Sequence, residues 1–336
     1  MVVFDRPRRV LFSTTLRAFV ESRPPRAIAL ATPRDTVANL LRIARRARAS
    51  QVLVVQDDAA ENQSTNPSRR TRAVSMRDVA RGWMRTSLSD GAFYERFTTR
   101  ELCDAIGATT PEIVWYDEST RAYDAHTLLD VCTALSRGRK IAVVHDGGGA
   151  IRDVVTKYDL VCFLSRRAAH LGEIADMPVA SLFPGRRVVS APASASARGA
   201  VRDISAIGLT TPVGDGAPNE IIACLSLNDF RRIDSHVDFT AMKTRSALDF
   251  VSRKRADTFR ADDRVPFESQ RHATGSRARR YVELVFAKSD TSFERLLALF
   301  AEHGIHHVFV LRADDVQQRE FRVLTPSDLI DALATR

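Results

Sequence analysis

Four times the sequence sets a hydroxyl and a carboxylate three residues apart where an apolar run gives way to a helix-like stretch. The pairs are Ser75 and Asp78 in "AVSMRDV", Thr156 and Asp159 in "VVTKYDL", Ser226 and Asp229 in "ACLSLNDF", and Thr325 and Asp328 in "RVLTPSDLI". Two chemistries suit such a pair. The hydroxyl accepts from an orphan N–H at a helix start, and the carboxylate reaches back to the cap while matching the positive end of the helix dipole. A carboxylate at a helix mouth that opens on a cleft also accepts two hydrogen bonds from vicinal hydroxyls, the pattern of a ribose 2′,3′-diol. Capping and diol binding are compatible, and both are expected of these residues.

The surrounding elements repeat in the same order. A β-rich run comes first: "AIALA" (27–31), "EIVWY" (112–116), "RVVSA" (187–191) and "YVELVFA" (281–287). A helical stripe at i, i+3, i+4, i+7 follows. It is Val37, Leu40, Leu41, Ala44, then Leu128, Val131, Cys132, Leu135, then Ala197, Ala200, Val201, Ile204, then Phe293, Leu296, Leu297, Phe300. Gly138, Gly208 and Gly304 stand where a left-handed helix cap belongs. A second strand ("VLVV", "IAVV", "GLTT", "HVFVL"), a polar loop and a third strand lead into Ser/Thr-x-x-Asp and a closing helix. The spacing therefore predicts four β-α-β-β-α units in an α/β chain. Each is too small to bury its own core, so pairing is expected. The first unit is long because of "DDAAENQSTNPSRRTR" (57–72), which reads as a disordered loop, as does "FRADDRVPFESQRHATGSRARR" (259–280).

Four such units in order resemble cystathionine-β-synthase (CBS) repeats. The resemblance covers nearly the whole chain and implies pairing into two Bateman modules that form a disc. The first module would span 14–168 (repeats 14–86 and 100–168) and the second 171–336 (repeats 171–236 and 246–336), with the break at "SRRAAHLG" (165–172). The four-copy arrangement is similar to the gamma regulatory subunits of AMP-activated protein kinase. That similarity implies AMP, ADP or ATP as regulatory ligands, and protein kinase catalytic and scaffold subunits as partners. It also implies Asp78, Asp159, Asp229 and Asp328 as ribose ligands, with Ser75, Thr156, Ser226 and Thr325 beside them. Asp159 departs from the family pattern, where a basic residue stands in the second copy. The family supplies phosphate ligands from a His-Arg pair just before the second strand. His306 matches that His, His307 replaces the Arg, and Arg139 and Lys140 carry charge at the related place in the second copy. The first copy has Gln51 there and the third has no cation. His for Arg makes the second cation pH-dependent and removes its bidentate fork. These side chains read equally as a half-buried strand start and a solvated helix end. The readings left open beside nucleotide sensing are a scaffold without nucleotide and a sensor of another adenosyl ligand such as S-adenosylmethionine.

Other chemistries find little support. No Gly-x-Ser-x-Gly, His-Glu-x-x-His or Walker pattern occurs, so a non-catalytic chain without cofactor is expected. "HDGGGAI" (145–151) and "TPVGDGAPNE" (211–220) lack the Gly-Lys-Ser/Thr ending and read as hairpin turns. Cys103, Cys132, Cys162 and Cys224 form no metal-ligand spacing and read as core residues of a reducing compartment. The charge is +9, from 50 basic and 41 acidic residues, and favours anionic partners. The basic runs "RIARRARAS" (42–50) and "RHATGSRARR" (271–280) lack interleaved aromatics, so nucleic acid is not the expected partner. No apolar run approaches the ~18–20 residues of a membrane span. The cytoplasm, with the nucleus also open, is the expected location. The Arg-rich, acid-poor start reads as the first helix of the folded region or as a mitochondrial presequence.

Overall fold

The computed structural model describes residues 4–24, 26–49, 51–55, 71–106, 113–183, 185–188, 190–201, 206–210, 221–252, 285–311 and 321–335. An arm of two helices, α1 (Asp5–Phe12) and α2 (Leu16–Glu21), precedes the first unit. That unit comprises β1 (Leu30–Ala31), α3 (Val37–Arg46), β2 (Gln51–Val55), β3 (Thr71–Ser75) and α4 (Met76–Arg85). Helices α5 (Asp90–Glu95) and α6 (Thr99–Ile106) lead to the second unit. It holds β4 (Ile113–Asp117), α7 (Arg121–Ala125), α8 (Leu128–Ser136), β5 (Ile141–His145), β6 (Ile151–Thr156) and α9 (Lys157–Arg166). After α10 (Val179–Leu182) and β7 (Arg186–Arg187), the third unit has β8 (Ser190–Pro192), α11 (Ala197–Val201), β9 (Ala206–Thr210) and β10 (Ile221–Ser226). It closes on a 3₁₀ turn, Leu227–Arg232, instead of the expected α-helix. Helices α12 (His236–Thr244) and α13 (described over 247–252) precede the fourth unit. Its elements are β11 (Phe286–Lys288), α14 (Phe293–His303), β12 (Val308–Leu311), β13 (Phe321–Leu324) and α15 (Pro326–Thr335).

Each unit carries one small sheet in which a parallel pair is followed by an antiparallel one: β1-β2-β3, β4-β5-β6, β8-β9-β10 and β11-β12-β13. The strand predicted at 187–191 divides. β7 leaves its own unit and pairs antiparallel with β13 of the fourth, while β8 stays with β9. The predicted stripes are buried in α3, α8 and α14, and Ala197 and Ala200 are buried in the third unit; Ile204 lies outside the described residues. Gly138 and Gly304 have the left-handed φ expected of them, 89° and 60°. Gly208 does not. It lies inside β9, opposite Cys224 and Ser190, where extended backbone needs no glycine. In the first unit the left-handed residue is Arg48, at φ 51°. Thr71 and Arg72, read as loop, begin β3; residues 57–70 and 259–280 lie outside the described residues. The turn 146–150 joins antiparallel β5 and β6 as expected of "HDGGGAI", with Gly147 and Gly149 at positive φ. Residues 211–220 lie outside the described residues.

Isolated bridges show how the units exchange their leading segments. Thr15 pairs with Thr127 and Thr36 with Thr98, so the arm docks on the second unit and the α5–α6 segment returns to the first. Pro178 with Ser292 and Ser196 with Ser246 repeat the exchange between the third and fourth units. The sheets of the first and second units meet through Leu53, Ala73, Ile113, Ile141 and Val143. The helices pair differently. The arm, α8 and α9 share one core with α14 and α15, and α3, α4 and α5 share another with the third unit, α12 and α13. No unit completes a core alone, which is the packing solution for elements this small. Among the described residues no helix is long and apolar enough to cross a membrane.

The α4–α6 contact gives a stability prediction. Gly82 sits mid-helix, and a Cβ there would fall inside the van der Waals envelope of Leu102 Cδ1, itself fully buried. Alanine gains about 1 kcal/mol of helix propensity but overpacks the contact, which costs about 1–3 kcal/mol. Gly82→Ala is therefore expected to lower stability, read as a lower urea midpoint, although the same change stabilises an exposed helix.

Candidate functional site

All four Ser/Thr-x-x-Asp pairs fold at the junction of a third strand and the helix or turn after it. In each, the backbone N–H of the hydroxyl residue donates to Asp Oδ2, at 2.8 Å for Ser75–Asp78, 2.7 Å for Thr156–Asp159, 2.8 Å for Ser226–Asp229 and 2.9 Å for Thr325–Asp328. The hydroxyls donate to the same oxygen, at 2.6 Å from Ser75, 2.7 Å from Thr156, 3.4 Å from Ser226 and 2.6 Å from Thr325. The box uses Oδ2 throughout. Asp78 and Asp229 are buried, while Asp159 and Asp328 are half-buried. A buried carboxylate needs a cation or several donors.

At Asp229 the cation is Arg232 of the same turn, whereas at Asp78 it comes from another unit. Lys140 precedes β5 and reaches across to the first unit, with Nζ 3.3 Å from Asp78 Oδ2. Strand register explains why. Gln51 stands opposite Ser75, Ile141 opposite Thr156 and Ala206 opposite Ser226. In the fourth unit Val308 pairs with Leu324, so His307 stands beside Thr325 and His306 occupies the position of Lys140. His307 is in electrostatic reach of Asp229 and Asp328, and His306 of Asp159 and Arg231. Carboxylates of three units thus converge on one pair of histidines. Burial pushes His306 down to about 4; Arg231 adds to this and Asp159 opposes it. Burial, reinforced by His306 and opposed by Asp229 and Asp328, pushes His307 down to about 4. At neutral pH both rings are uncharged hydrogen-bonding groups, which revises the reading of them as phosphate cations. The His306 ring also packs 5.0 Å from that of Tyr158. Arg139 lies half-buried between Gly138 and β5.

Three further cations were not read from the sequence. Arg26 forks Asp159, Nη1 to Oδ1 at 2.8 Å and Nη2 to Oδ2 at 3.1 Å, and Arg23 stands 3.5 Å from the same Oδ1. Arg231, in the 3₁₀ turn of the third unit, donates from Nη1 to Arg48 O at 2.8 Å. Burial lowers its pKa, Arg232 and Arg48 add to this, and Asp229 opposes it. "SRPPR" shows that Arg23 and Arg26 flank two prolines, but nothing local names a target in the second unit. Gln51 Oε1, opposite Ser75, is a buried acceptor with no hydrogen-bond partner.

Among solved structures, a protein of Methanocaldococcus jannaschii described as a proposed archaeal homologue of gamma-AMPK superposes with TM-score 0.56 at 13% identity, covering 94% of this chain and 99% of that one. The chain has a CBS-type fold. A conserved protein of Pyrococcus horikoshii is also similar, at TM-score 0.43 and 11% identity, over 92% of this chain and 96% of that one. No family model and no curated protein matches the chain. The CBS-type topology accounts for the site's repetition, because each unit brings its third strand to a capped acidic mouth. Among the described residues no disulfide joins the cysteines, and no group of three His, Cys, Asp or Glu side chains is placed to hold a metal ion.

Proposed function

We propose that this chain is a regulatory subunit that senses adenine nucleotides and conveys their level to a protein kinase complex through its catalytic and scaffold subunits. The observation that carries the reading is the approach of Asp229 and Asp328, from two different units, to His307, with His306 and Arg231 alongside. A nucleotide presents a diol and a phosphate a few ångströms apart, and a carboxylate beside hydrogen-bonding and cationic groups matches both ends. Asp78, with Lys140 across from it and the unpartnered Gln51 Oε1 beside its cap, offers a second such place. In this reading Asp78, Asp229 and Asp328 take ribose, with Ser75, Ser226 and Thr325 holding them. Lys140, Arg139, His306, His307 and Arg231 meet phosphate. The kinase partner rests on the fold's likeness to the proposed gamma-AMPK homologue. No residue in this reading performs a reaction.

One observation favours the alternative, a scaffold without nucleotide: Asp78 and Asp159 already have cationic partners within the chain. Isothermal titration with AMP, ADP, ATP and S-adenosylmethionine separates the two. Asp78→Ala or Asp328→Ala is expected to weaken AMP binding about 10- to 100-fold, the loss of hydrogen bonds to a charged group. Lys140→Ala should weaken AMP but spare adenosine, which lacks the phosphate. At about 100 times the dissociation constant AMP should add about 2.7 kcal/mol of stability. No shift at millimolar nucleotide would establish the scaffold instead.

A further inference from the structure

The four mouths differ in what faces them. Asp78 meets a single ammonium, and at Asp229 Arg232 of the same turn stands 3.7 Å from Oδ1. Asp159 meets a planar fork, two parallel N–H donors of Arg26 laid on its two oxygens. Two neighbouring donors on one carboxylate are also what a sugar diol supplies. The geometry points to a self-occupied mouth, in which Arg26 holds the place on Asp159 that a ribose diol would take, so that the second unit is closed to nucleotide by the chain's own arm. The inference takes its ligand from the proposed nucleotide reading.

The fork is built to stay. Arg23 supports it, its Nη2 bonded to Asp153 and its Nη1 3.5 Å from Asp159 Oδ1, while Arg26 Nε stands 3.3 Å from Asp153 Oδ1. Two arginines thus meet two aspartates in a neutral cluster. The Arg23 side chain is only 9% exposed, and its guanidinium lies over the Phe19 ring at 4.4 Å. Burial lowers its pKa, with Asp159 and Asp153 opposing. Breaking the buried Arg23–Asp153 pair strands a charge, which is far more costly than loss of a surface contact, whereas Arg26 itself is 40% exposed and owes its place to these neighbours. The arm that delivers these residues is itself anchored, since Phe4, Leu11, Leu16 and Phe19 lie in the core of the second and fourth units. The two prolines between Arg23 and Arg26 narrow the unfolded ensemble of the linker and so lower the entropy lost in placing it. A diol competing for Asp159 must displace an intramolecular fork already held by its neighbours.

Counting bound AMP by equilibrium dialysis tests this. Arg26→Gln, or Arg23→Gln with Arg26→Gln where Arg23 would otherwise slide onto the carboxylate, should bind one more equivalent of AMP than the native chain. Adding Asp159→Asn to Arg26→Gln should remove that equivalent, and Asp159→Asn alone should leave the native count unchanged. Should the glutamine variant melt below the assay temperature, Arg26→Lys keeps the charge without the fork. A count in the arginine variants equal to the native one overturns the inference, as does loss of an equivalent from Asp159→Asn alone. If the native chain binds none and Arg26→Gln binds one, the self-occupied mouth stands and the reading of the other three mouths falls. If the native chain binds AMP and Arg26→Gln adds nothing, the reverse holds.

Discussion

Lowering the pH from 7 to 5 is expected to destabilise this chain by about 2–4 kcal/mol, with His306 and His307 as the cause. Burial holds both rings at about 4 in the folded state, below the ordinary histidine value. The unfolded chain then binds protons that the folded chain refuses. A depressed histidine therefore contributes stability that is present above about 6.5 and is lost as pH falls toward about 4. One such ring accounts for about 2 kcal/mol over this interval, and the two rings oppose each other's charging. Asp159 opposes the shift of His306, and Asp229 and Asp328 that of His307, while Arg231 deepens the first. Asp90 and Asp159 also titrate below the ordinary carboxylate range, so their stabilisation disappears in a separate window, below about pH 4. Urea melts at pH 7, 6 and 5 read the effect, and His306→Gln with His307→Gln should flatten the slope. A native chain equally stable at pH 7 and 5 would show that the rings are not buried as neutral groups. A phosphate bound beside them favours the charged rings and raises their depressed values. Titration in buffers of different ionisation enthalpy would then register proton uptake, an effect an arginine at the same place cannot give.

What was legible in the sequence was what is local. The Ser/Thr-x-x-Asp boxes close within three residues, so their existence needed no knowledge of the fold, and the stripes of α3, α8 and α14 follow from one helical period. The third unit read least well. Its predicted capping glycine lies in β9 and its final helix is a 3₁₀ turn, while a left-handed Arg48 shows that the cap does not require glycine. The partners of Asp78 and Asp159 were not legible, because each comes from outside the carboxylate's own unit. Lys140 lies 62 residues from Asp78 and Arg26 133 from Asp159. Sequence spacing places a charge at a strand end, but only the exchange of leading segments and the pairing of helices decide which carboxylate it meets.

Asp90→Ala should cost about 3 kcal/mol, and it tests a contact made across units. Asp90 caps no partner of its own unit's sheet. It sits at the first position of α5, 9% exposed, and accepts from Trp83 Nε1 at 3.0 Å, from Thr240 Oγ1 at 3.1 Å and from Lys243 Nζ at 2.5 Å. Trp83 belongs to the first unit, whereas Thr240 and Lys243 lie on α12, which follows the third. Burial pushes the Asp90 carboxyl up, but the bonds from Lys243, Trp83 and Thr240 outweigh it and hold the value below the ordinary range. Removing the carboxylate leaves the indole N–H without its acceptor, inside a cluster where Trp83 packs 5.1 Å from Phe239 and 6.3 Å from Phe230. A buried donor left unpaired costs about 1–3 kcal/mol, and loss of the charged pair adds to it. Lys243 is one-third exposed, so it recovers water when Asp90 is gone, which keeps the total near 3 kcal/mol and not the 5 that a sealed pair would cost. Lys243→Met removes the ammonium from Asp90 and from its place 5.7 Å from the Trp83 ring centroid, and should cost about 1–2 kcal/mol. In a double-mutant cycle Asp90→Ala with Lys243→Met should be milder than the sum of the singles, because each change spares the other from stranding a charge. Strict additivity would mean that α5 and α12 are held by their apolar faces alone and that the ionic clasp between the first unit and α12 contributes nothing to their union.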